Sequence, residues 1–178
     1  MTSVTLNIPA VKTERLILRG HRMEDLDAMA EFFAGDRNTY VGGKMERGDC
    51  WRAMLRGMGH WAMRGYGLWH IEEKATAKVA GWAGILHHIE WPEPELAYTL
   101  FEGFEGKGFA LEAATAARDY AAHQFGIDTA ISLIAPDNTR SMALAKRMGA
   151  TYEKDTVVMD YPCQIWRHPS VLTDAGAV

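Results

Sequence analysis

The spacing of apolar residues along this chain predicts a series of strands and helices. Strands are predicted where apolar residues alternate or run together, and helices where they recur three and four positions apart. The predicted strands cover residues 13–19, 66–72, 78–89, 95–101, 128–135, 151–160 and 162–167. The predicted helices cover residues 21–34, 47–64, 111–125 and 139–148. This order predicts an α/β fold, one mixed domain over residues 1–178 with a core at about 13–168.

The second predicted helix carries its large apolar residues on one face. These residues are Trp51, Met54, Leu55, Met58, Trp61 and Ala62. Such a face packs against the rest of a protein, so Trp51, Trp61 and Trp69 are interpreted as core residues. Gly57 and Gly59 weaken the helix and predict a kink or break within it.

Composition and charge exclude several classes of protein. Of the 178 residues, 48% are hydrophobic and 24% charged, as in an ordinary folded domain. A net charge of −4 provides no broad positive surface, so nucleic acid is not an expected partner. No apolar run approaches the roughly 20 residues that span a bilayer, and residues 1–10 do not resemble a signal peptide. The two cysteines, Cys50 and Cys163, are far apart and lack a metal-ligand spacing.

We therefore expect a cytoplasmic protein with reduced thiols, no membrane partner and no metal ion. It would be a monomer, or a homodimer paired through the last strands at about residues 161–167. The tail at residues 170–178 is expected to be frayed.

The most informative segment is a glycine turn at residues 105–110, Glu-Gly-Lys-Gly-Phe-Ala. It lies between a predicted strand and a predicted helix, so the first N–H groups of that helix have no partner within it. Together with the helix dipole, these donors attract a phosphate group, and Lys107 adds a positive charge. The turn therefore predicts a site for a phosphate-bearing ligand.

Glycine turns that bind such ligands differ in their spacing. A P-loop needs G-x-x-x-x-G-K-S/T, which the chain does not contain. A dinucleotide fold needs G-x-G-x-x-G after its first strand, whereas Gly103, Gly106 and Gly108 give G-x-x-G-x-G late in the chain. Coenzyme A is the third ligand to consider, and a family resemblance bears on it.

The turn resembles the cofactor motif of the GNAT acyltransferase superfamily, Q/R-x-x-G-x-G/A. Residues 105–110 fit it at Gly108 and Ala110, with Glu105 in place of glutamine or arginine. Four further segments are similar to the branch of the ribosomal-protein N-terminal acetyltransferases. They are residues 13–19, 110–113, 138–143 and 147–150. The resemblance spans roughly residues 13–168.

This resemblance implies a central twisted, largely antiparallel sheet flanked by about four helices. A V-shaped splay would separate the strands at 95–101 and 128–135, the fourth and fifth strands of that fold. The co-substrate acetyl-CoA would lie in the gap, its pantetheine arm along the strand edge at Thr99, Leu100 and Phe101. Its pyrophosphate would bind backbone amides of the turn, at Glu105, Gly106, Lys107, Gly108, Phe109 and Ala110.

The resemblance also implies direct attack of a primary amine on acetyl-CoA in a ternary complex. A backbone N–H near Thr99 or Leu100 would polarise the thioester carbonyl. Glu95 would be the general base, with Glu93 as its neighbour. The alternative for Glu95 is a solvent-facing carboxylate at the end of a strand.

The fourth predicted helix would supply the remaining contacts. The tyrosine that many family members use as an acid falls at Ala145, so Ser141 would be the proton donor and a cofactor contact, unless it only caps the helix. Asn138 would bind the pantetheine arm or a nearby backbone group, or would act only as a helix cap.

The acceptor side is the least defined part of the predicted site. His87, Trp82 and Trp91 would line it. His87 and His88 are not expected to share a metal, because adjacent strand residues point to opposite faces. The acceptor would be a protein N-terminus or a small amine such as a polyamine. Because Ala145 and Glu105 depart from the residues usual in the family, a second hypothesis is a non-catalytic coenzyme A-binding regulatory domain.

Overall fold

The computed structural model describes residues 6–172. The strands are β1 Val11–Lys12, β2 Leu16–Arg19, β3 Leu68–Glu73, β4 Val79–Leu86, β5 Glu95–Leu100, β6 Ile131–Ile134, β7 Thr151–Val158 and β8 Tyr161–Arg167. The helices are α1 Asp25–Ala34, α2 Arg47–Arg64, α3 Phe109–Phe125 and α4 Thr139–Arg147. The predictions for the two ends of the chain fall in part on residues 1–5 and 173–178, which lie outside the described residues.

The predicted element order is confirmed, and the differences lie mainly at the element ends. The first long strand begins at Leu16 because Leu16 and Thr13 close a turn, in which the Leu16 N–H donates to Thr13 Oγ1 at 3.0 Å. The first helix begins at Asp25, whose carboxylate accepts the Arg22 N–H at 2.7 Å just before the helix. Helix α3 begins two residues earlier than predicted, at Phe109, immediately after Gly108.

Helix α2 is continuous from Arg47 to Arg64, so it contains no break at Gly57 or Gly59. Gly57 has a packing role instead, because a Cβ there would lie 2.7 Å from Nε2 of His21. The predicted apolar face is also only partly correct. Met54 and Trp61 are buried together with Cys50, whereas the neighbouring stripe is exposed. That stripe contains Trp51, Leu55 and Met58.

The eight strands form one sheet in the order β1-β2-β3-β4-β5-β6-β8-β7. Neighbouring strands are antiparallel except β5 and β6, which are parallel. Strands β5 and β6 pair at a single position, Glu95 with Ile131, and then diverge. The predicted fold class, a largely antiparallel sheet with a splay between these two strands and four helices around it, is confirmed.

Two apolar cores cover the two faces of the sheet. Helix α3 packs on one face through small residues, which allow close approach to the strands. They are Ala113, Ala114, Ala117 and Ala121. Strand β4 sends Ala83 and Ile85 to this face, and its alternate residue Trp82 joins the second core against α1 and α2. Helix α4 packs beside α3 and against β6.

Helix α1 is joined to β2 and β3 by a buried ionic network. Two nitrogens of Arg19 donate to the two carboxylate oxygens of Asp25, each at 2.8 Å, and Nδ1 of His70 lies 2.7 Å from Asp25 Oδ2. Arg19 Nε also donates to Glu72 at 2.6 Å. Although burial favours the neutral acid, the bonds from Arg19 and His70 hold the pKa of Asp25 well below its usual value.

The described residues contain no helix that is both long enough and apolar enough to cross a membrane.

Asp25→Asn should destabilise the fold by about 3–5 kcal/mol, because it removes the charged acceptor of two buried Arg19 hydrogen bonds and leaves Glu72 as the remaining carboxylate partner of Arg19. The measurement is urea unfolding at pH 7. Since the folded-state pKa of Asp25 is lowered, its contribution is present above the usual carboxyl pKa and is lost on acidification. The difference in the free energy of unfolding between wild type and Asp25→Asn should therefore become smaller as the pH falls. Asp27→Asn on the same helix is the matched control, since Asp27 is 79% exposed beside Arg47. Equal stability of Asp25→Asn and wild type would contradict this account.

Candidate active site

The gap between β5 and β6 exposes one backbone edge of β5. On the other edge, the Phe101 N–H donates to Ala80 O of β4 at 2.8 Å. On the gap side, Leu96 O accepts the Ser132 hydroxyl of β6 at 2.7 Å. Because backbone groups alternate between the two edges, those of Tyr98 and Leu100 face the gap.

This alternation of backbone groups along β5 corrects part of the predicted cofactor contact. The N–H groups of Thr99 and Phe101 point to β4, so neither can polarise a ligand in the gap. The backbone groups of Leu100 and Tyr98 face the gap instead, so these two positions are the candidate contacts on this edge. The sequence alone could not separate these positions, because the alternation depends on the strand register.

The glycine turn lies at the end of β5 and leads directly into α3. Gly106 and Gly108 have φ values of 74° and 81°, in the left-handed region that favours glycine. The N–H groups of Phe109, Ala110 and Leu111 form the first turn of α3 and have no partner within the helix. A row of such donors at a helix N-terminus fits a pyrophosphate group.

The side chains of the turn have different roles. Nζ of Lys107 lies 5.3 Å from the ring centre of Phe104 and 5.7 Å from that of Phe109, which keeps its charge beside the turn. Phe109 is itself buried in the core, so its backbone alone is available to a ligand. Oε2 of Glu105 accepts the Gly103 N–H at 3.0 Å, and its Oε1 forms an ion pair with Arg37.

A second set of contacts fixes the start of α3 to the opposite part of the sheet. Glu112 accepts the Thr13 hydroxyl at 2.5 Å and the Arg15 N–H at 2.8 Å. Arg15 in turn donates to the Lys107 carbonyl at 2.8 Å. Although burial opposes it, these bonds lower the pKa of Glu112. Segments 13–19 and 110–113, matched separately in the sequence, therefore form one contact that holds the turn.

Glu95 lies at the closed end of the gap, where β5 and β6 meet. Its side chain is 9% exposed, and Oε1 accepts the Leu133 N–H at 3.1 Å. Burial raises the pKa of Glu95 to about 7, against the opposing effect of that hydrogen bond. The alternative of a solvent-facing carboxylate does not fit this burial. A group that titrates near neutral pH is suited to accepting a proton.

Glu93, the neighbouring carboxylate, has a different environment. Its two oxygens accept from Arg167 at 2.7 and 2.9 Å. This pairing lowers the pKa of Glu93. It is therefore a poorer proton acceptor than Glu95.

The start of α4 forms the other wall of the gap. Oδ1 of Asn138 accepts the Ser141 N–H at 3.2 Å, so Asn138 caps the helix. The Ser141 hydroxyl donates to the Tyr98 hydroxyl at 3.2 Å, and Tyr98 donates to the Ser141 carbonyl at 3.2 Å. Burial raises the pKa of Tyr98, which keeps the phenol protonated. Ala145, one turn after Ser141 in α4, is buried in a small core beside Trp166.

Tyr98 is the site residue that sequence reasoning missed. It belongs to β5, whereas its partner Ser141 belongs to α4, and no local pattern connects the two. The alternation of β5 gave the only signal, since it places Tyr98 between Leu96 and Leu100 on the face toward α3.

The predicted acceptor residues do not lie together. Trp82 is 9% exposed and packs against Phe32, Phe33 and Phe101, so the structure places it in the core. Trp82 lies in the core rather than in an acceptor pocket because α1 covers its position on β4.

His87 and Trp91 lie in the loop beyond the closed end of the gap. His87 follows Leu86, the β4 partner of Glu95, and its N–H donates to His60 Nε2 at 3.1 Å. Trp91 packs edge-on against His88 at 4.6 Å. Burial lowers the pKa values of His60 and His88, which favours neutral rings at pH 7. In the described part of the chain, no three His, Cys, Asp or Glu residues come together as metal ligands would.

Comparison with known proteins identifies this arrangement. Residues 15–151 match the family model described as an acetyltransferase (GNAT) domain. The chain belongs to the GNAT acetyltransferase family. It is 30% identical to the protein YkkB of Bacillus subtilis (strain 168) over 169 residues, which cover 89% of this chain and 94% of YkkB. It is 27% identical to the ribosomal protein uS5-alanine N-acetyltransferase of Escherichia coli (strain K12), over 87% of this chain and 84% of that enzyme.

Solved GNAT structures show the same fold. An acetyltransferase from Agrobacterium tumefaciens has a TM-score of 0.83 and 34% identity, over 94% of this chain and 98% of that one. The ribosomal L7/L12 α-N-protein acetyltransferase RimL, in complex with coenzyme A, has a TM-score of 0.75 over 91% of this chain and 98% of that one. At 15% identity, the second likeness concerns the fold alone. The predicted family and enzyme class, an acetyl-CoA-dependent acetyltransferase, are confirmed.

Gly108→Trp should weaken coenzyme A binding by at least about tenfold, because a side chain at the turn obstructs the approach of a phosphate to the α3 amides. The measurement is isothermal titration calorimetry with coenzyme A. Gly126→Trp is the matched control at the other end of α3. Gly126 also has a positive φ, 68°, and no atom lies within 4 Å of a Cβ added there. Both variants thus carry similar backbone strain, and only Gly108→Trp should lose binding. A folded Gly108→Trp protein with wild-type affinity would contradict this placement of the phosphates.

Proposed function

We propose that this GNAT enzyme transfers an acetyl group from acetyl-CoA to the α-amino group of a protein N-terminus, by direct attack in a ternary complex. The observation that carries the proposal is Glu95, a buried carboxyl with a pKa of about 7 where β5 and β6 part. An amine must lose a proton to react, and a base near pH 7 is matched to that task.

The basicity of the amine favours one class of acceptor. An α-amino group has a pKa near 8, whereas a lysine side chain lies near 10.4, so the lysine amine is harder to deprotonate by more than two units. At about 1.4 kcal/mol per unit, the difference is about 3 kcal/mol for the same base. An N-terminal amine is therefore the better substrate for this base than a lysine side chain or another strongly basic amine. The Escherichia coli relative, named as an alanine N-acetyltransferase of ribosomal protein uS5, supports a protein acceptor.

Several groups of this chain fit coenzyme A. The amides of Phe109, Ala110 and Leu111, with the Lys107 charge beside them, would hold the pyrophosphate. The backbone groups of Tyr98 and Leu100, on the edge of β5 that faces the gap, would pair with the pantetheine arm, as an added strand does. The Tyr98 carbonyl already accepts the Thr99 hydroxyl at 2.9 Å, so its second lone pair would accept from the ligand. An N–H of that edge would stabilise the oxyanion that develops on the carbonyl oxygen. When bound, acetyl-CoA supplies the activated acetyl thioester.

Glu95 would accept the proton of the attacking amine as the N–C bond forms and the C–S bond breaks. On the α4 side, the Ser141 hydroxyl would donate a proton to the departing thiolate. In the structure this hydroxyl donates to Tyr98, so it would turn toward the thiolate while the Tyr98 phenol, protonated at neutral pH, turns from the Ser141 carbonyl and passes its proton to Ser141 Oγ. Tyr98 would regain a proton from water after the products leave. These roles supply the acid that Ala145 cannot, which removes one reason for a non-catalytic function. A cytoplasmic location fits this acceptor, and Cys50 and Cys163 are both free and buried.

The acceptor class can be tested with three amines under identical conditions. We expect faster acetylation of a peptide with a free N-terminal alanine than of the same peptide with a blocked N-terminus and an internal lysine. Spermidine should also react more slowly, for the pKa reason above. The measurement is coenzyme A release, with mass spectrometry to locate the acetyl group. Preference for spermidine or lysine would overturn the N-terminal assignment and leave acetyl transfer itself intact.

Glu95→Gln should lower kcat/KM by about 10²–10⁴-fold, because glutamine cannot accept the proton. In wild type, kcat/KM should rise as the pH passes through about 7, where Glu95 deprotonates, and the variant should lose this limb. Initial rates between pH 5.5 and 9 give both results. Glu93→Gln, two residues away, is the matched control and should keep the limb, since Glu93 is already ionised beside Arg167. Wild-type rates in both Glu95→Gln and Ser141→Ala would show that the proposed roles are wrong.

A further inference from the structure

The connection between α1 and α2, residues 35–46, reaches both sides of the gap, and we call it the bridging loop. Its Arg37 forms an ion pair with Glu105 in the glycine turn that follows β5. Its Tyr40 interacts with Asp137, which lies after β6 and just before α4. The loop therefore contacts the segments that follow each of the two diverging strands.

Hydrogen bonds of the bridging loop hold its backbone next to Arg37. The neighbouring Asn38 is 3% exposed, and its Nδ2 donates to the carbonyls of Phe33 and Gly35 at 2.8 and 2.9 Å. Its own carbonyl accepts the N–H groups of Val41 and Gly43 at 2.9 and 3.0 Å. These bonds hold the backbone next to Arg37, whose side chain extends to Glu105.

Packing places the base of this loop against the end of β5. Phe32, near the end of α1, stacks on Phe101 with 5.0 Å between ring centres. Phe104, within the turn region, packs against the same cluster. This packing places the start of the bridging loop, which contains Arg37, beside the glycine turn.

Glu105 creates an electrostatic problem for a phosphate ligand. It stands in the turn where the related motif carries glutamine or arginine, and two negative charges at close range repel each other. In this chain Oε2 of the carboxylate accepts the Gly103 N–H, whereas the buried Oε1 accepts no hydrogen bond from the described residues and has the Arg37 guanidinium beside it as an ion-pair partner. The side chains of Arg37 and Glu105 are 37% and 31% exposed, so their charges are only partly screened by solvent.

We propose that Arg37 is a positioning residue of the coenzyme A site, which neutralises Glu105 and holds the turn open to the phosphates. The Arg37–Glu105 pair thereby takes the place of the single neutral or cationic side chain of the related motif. The inference rests on the proposed function, in which this turn binds coenzyme A. It makes cofactor affinity depend on the bridging loop, an element distant in sequence from the motif.

A double-mutant cycle tests the proposal by calorimetric titration with coenzyme A. Arg37→Met should weaken binding by at least roughly tenfold, because the Glu105 charge is then unopposed. Glu105→Gln should bind at least as tightly as wild type. In the Glu105→Gln background, Arg37→Met should change the affinity by less than about threefold, since no charge remains to neutralise. Arg37→Lys, which keeps the charge, should restore most of the affinity lost in Arg37→Met.

Arg47→Met is the matched control, because Arg47 also pairs with a carboxylate near the bridging loop, Asp27 of α1, but does not touch the turn. It should bind coenzyme A as wild type does. Wild-type affinity in Arg37→Met would overturn the proposal. An equal loss in both backgrounds would also overturn it, since Arg37 would then act on the phosphates directly. A folded wild type that binds no coenzyme A would overturn the proposed function as well, which distinguishes the two failures.

Discussion

The divergence of β5 and β6 is the constraint on which the rest of the site depends. Two adjacent strands that pair only at Glu95 and Ile131 leave backbone groups without ladder partners, and such groups are costly when buried. Side chains satisfy those nearest the vertex, where Ser132 binds Leu96 O and Glu95 accepts the Leu133 N–H. Farther along, the edge of β5 is left for a ligand. The proposed base and the proposed ligand-binding edge of β5 therefore both result from the divergence of β5 and β6.

A gap of this kind is useful only if its open end keeps its shape. Three elements hold the glycine turn there from different directions. Arg15, from the segment between β1 and β2, binds the Lys107 carbonyl, and Glu112 ties the start of α3 to the same segment. Arg37 pairs with Glu105 from the side of α1. The alanines of α3 let the helix lie close to the sheet, so that its N-terminal amides are set by packing rather than by the turn alone.

The sequence predicted the features that local patterns encode. Element order followed from apolar periodicity, and the ligand turn followed from Gly106 and Gly108 between a strand and a helix. Features that depend on register or on distant contacts were not accessible. The sequence predicts a ligand contact at Thr99, whereas the strand register turns the backbone groups of Leu100 and Tyr98 to the gap, and it predicts an acceptor pocket at Trp82, which packs under α1 in the core. The Tyr98–Ser141 and Arg37–Glu105 contacts join elements far apart in the chain, and no spacing rule predicts them.

The stability of the fold and the proposed chemistry depend on two carboxyl groups whose pKa values are shifted in opposite directions, Asp25 downward and Glu95 upward. Because burial raises the pKa of Glu95 from 4.5 to about 7, its contribution to stability is fully present below pH 4.5 and is lost as the pH rises through 7. At a pH where Glu95 can accept a proton, the fold no longer gains from burying it. Asp25, with a lowered pKa, contributes at neutral pH instead. Its network joins β2, β3 and α1, separated from the gap by β4, so proton uptake at Glu95 can proceed without disturbing the charges that stabilise the protein.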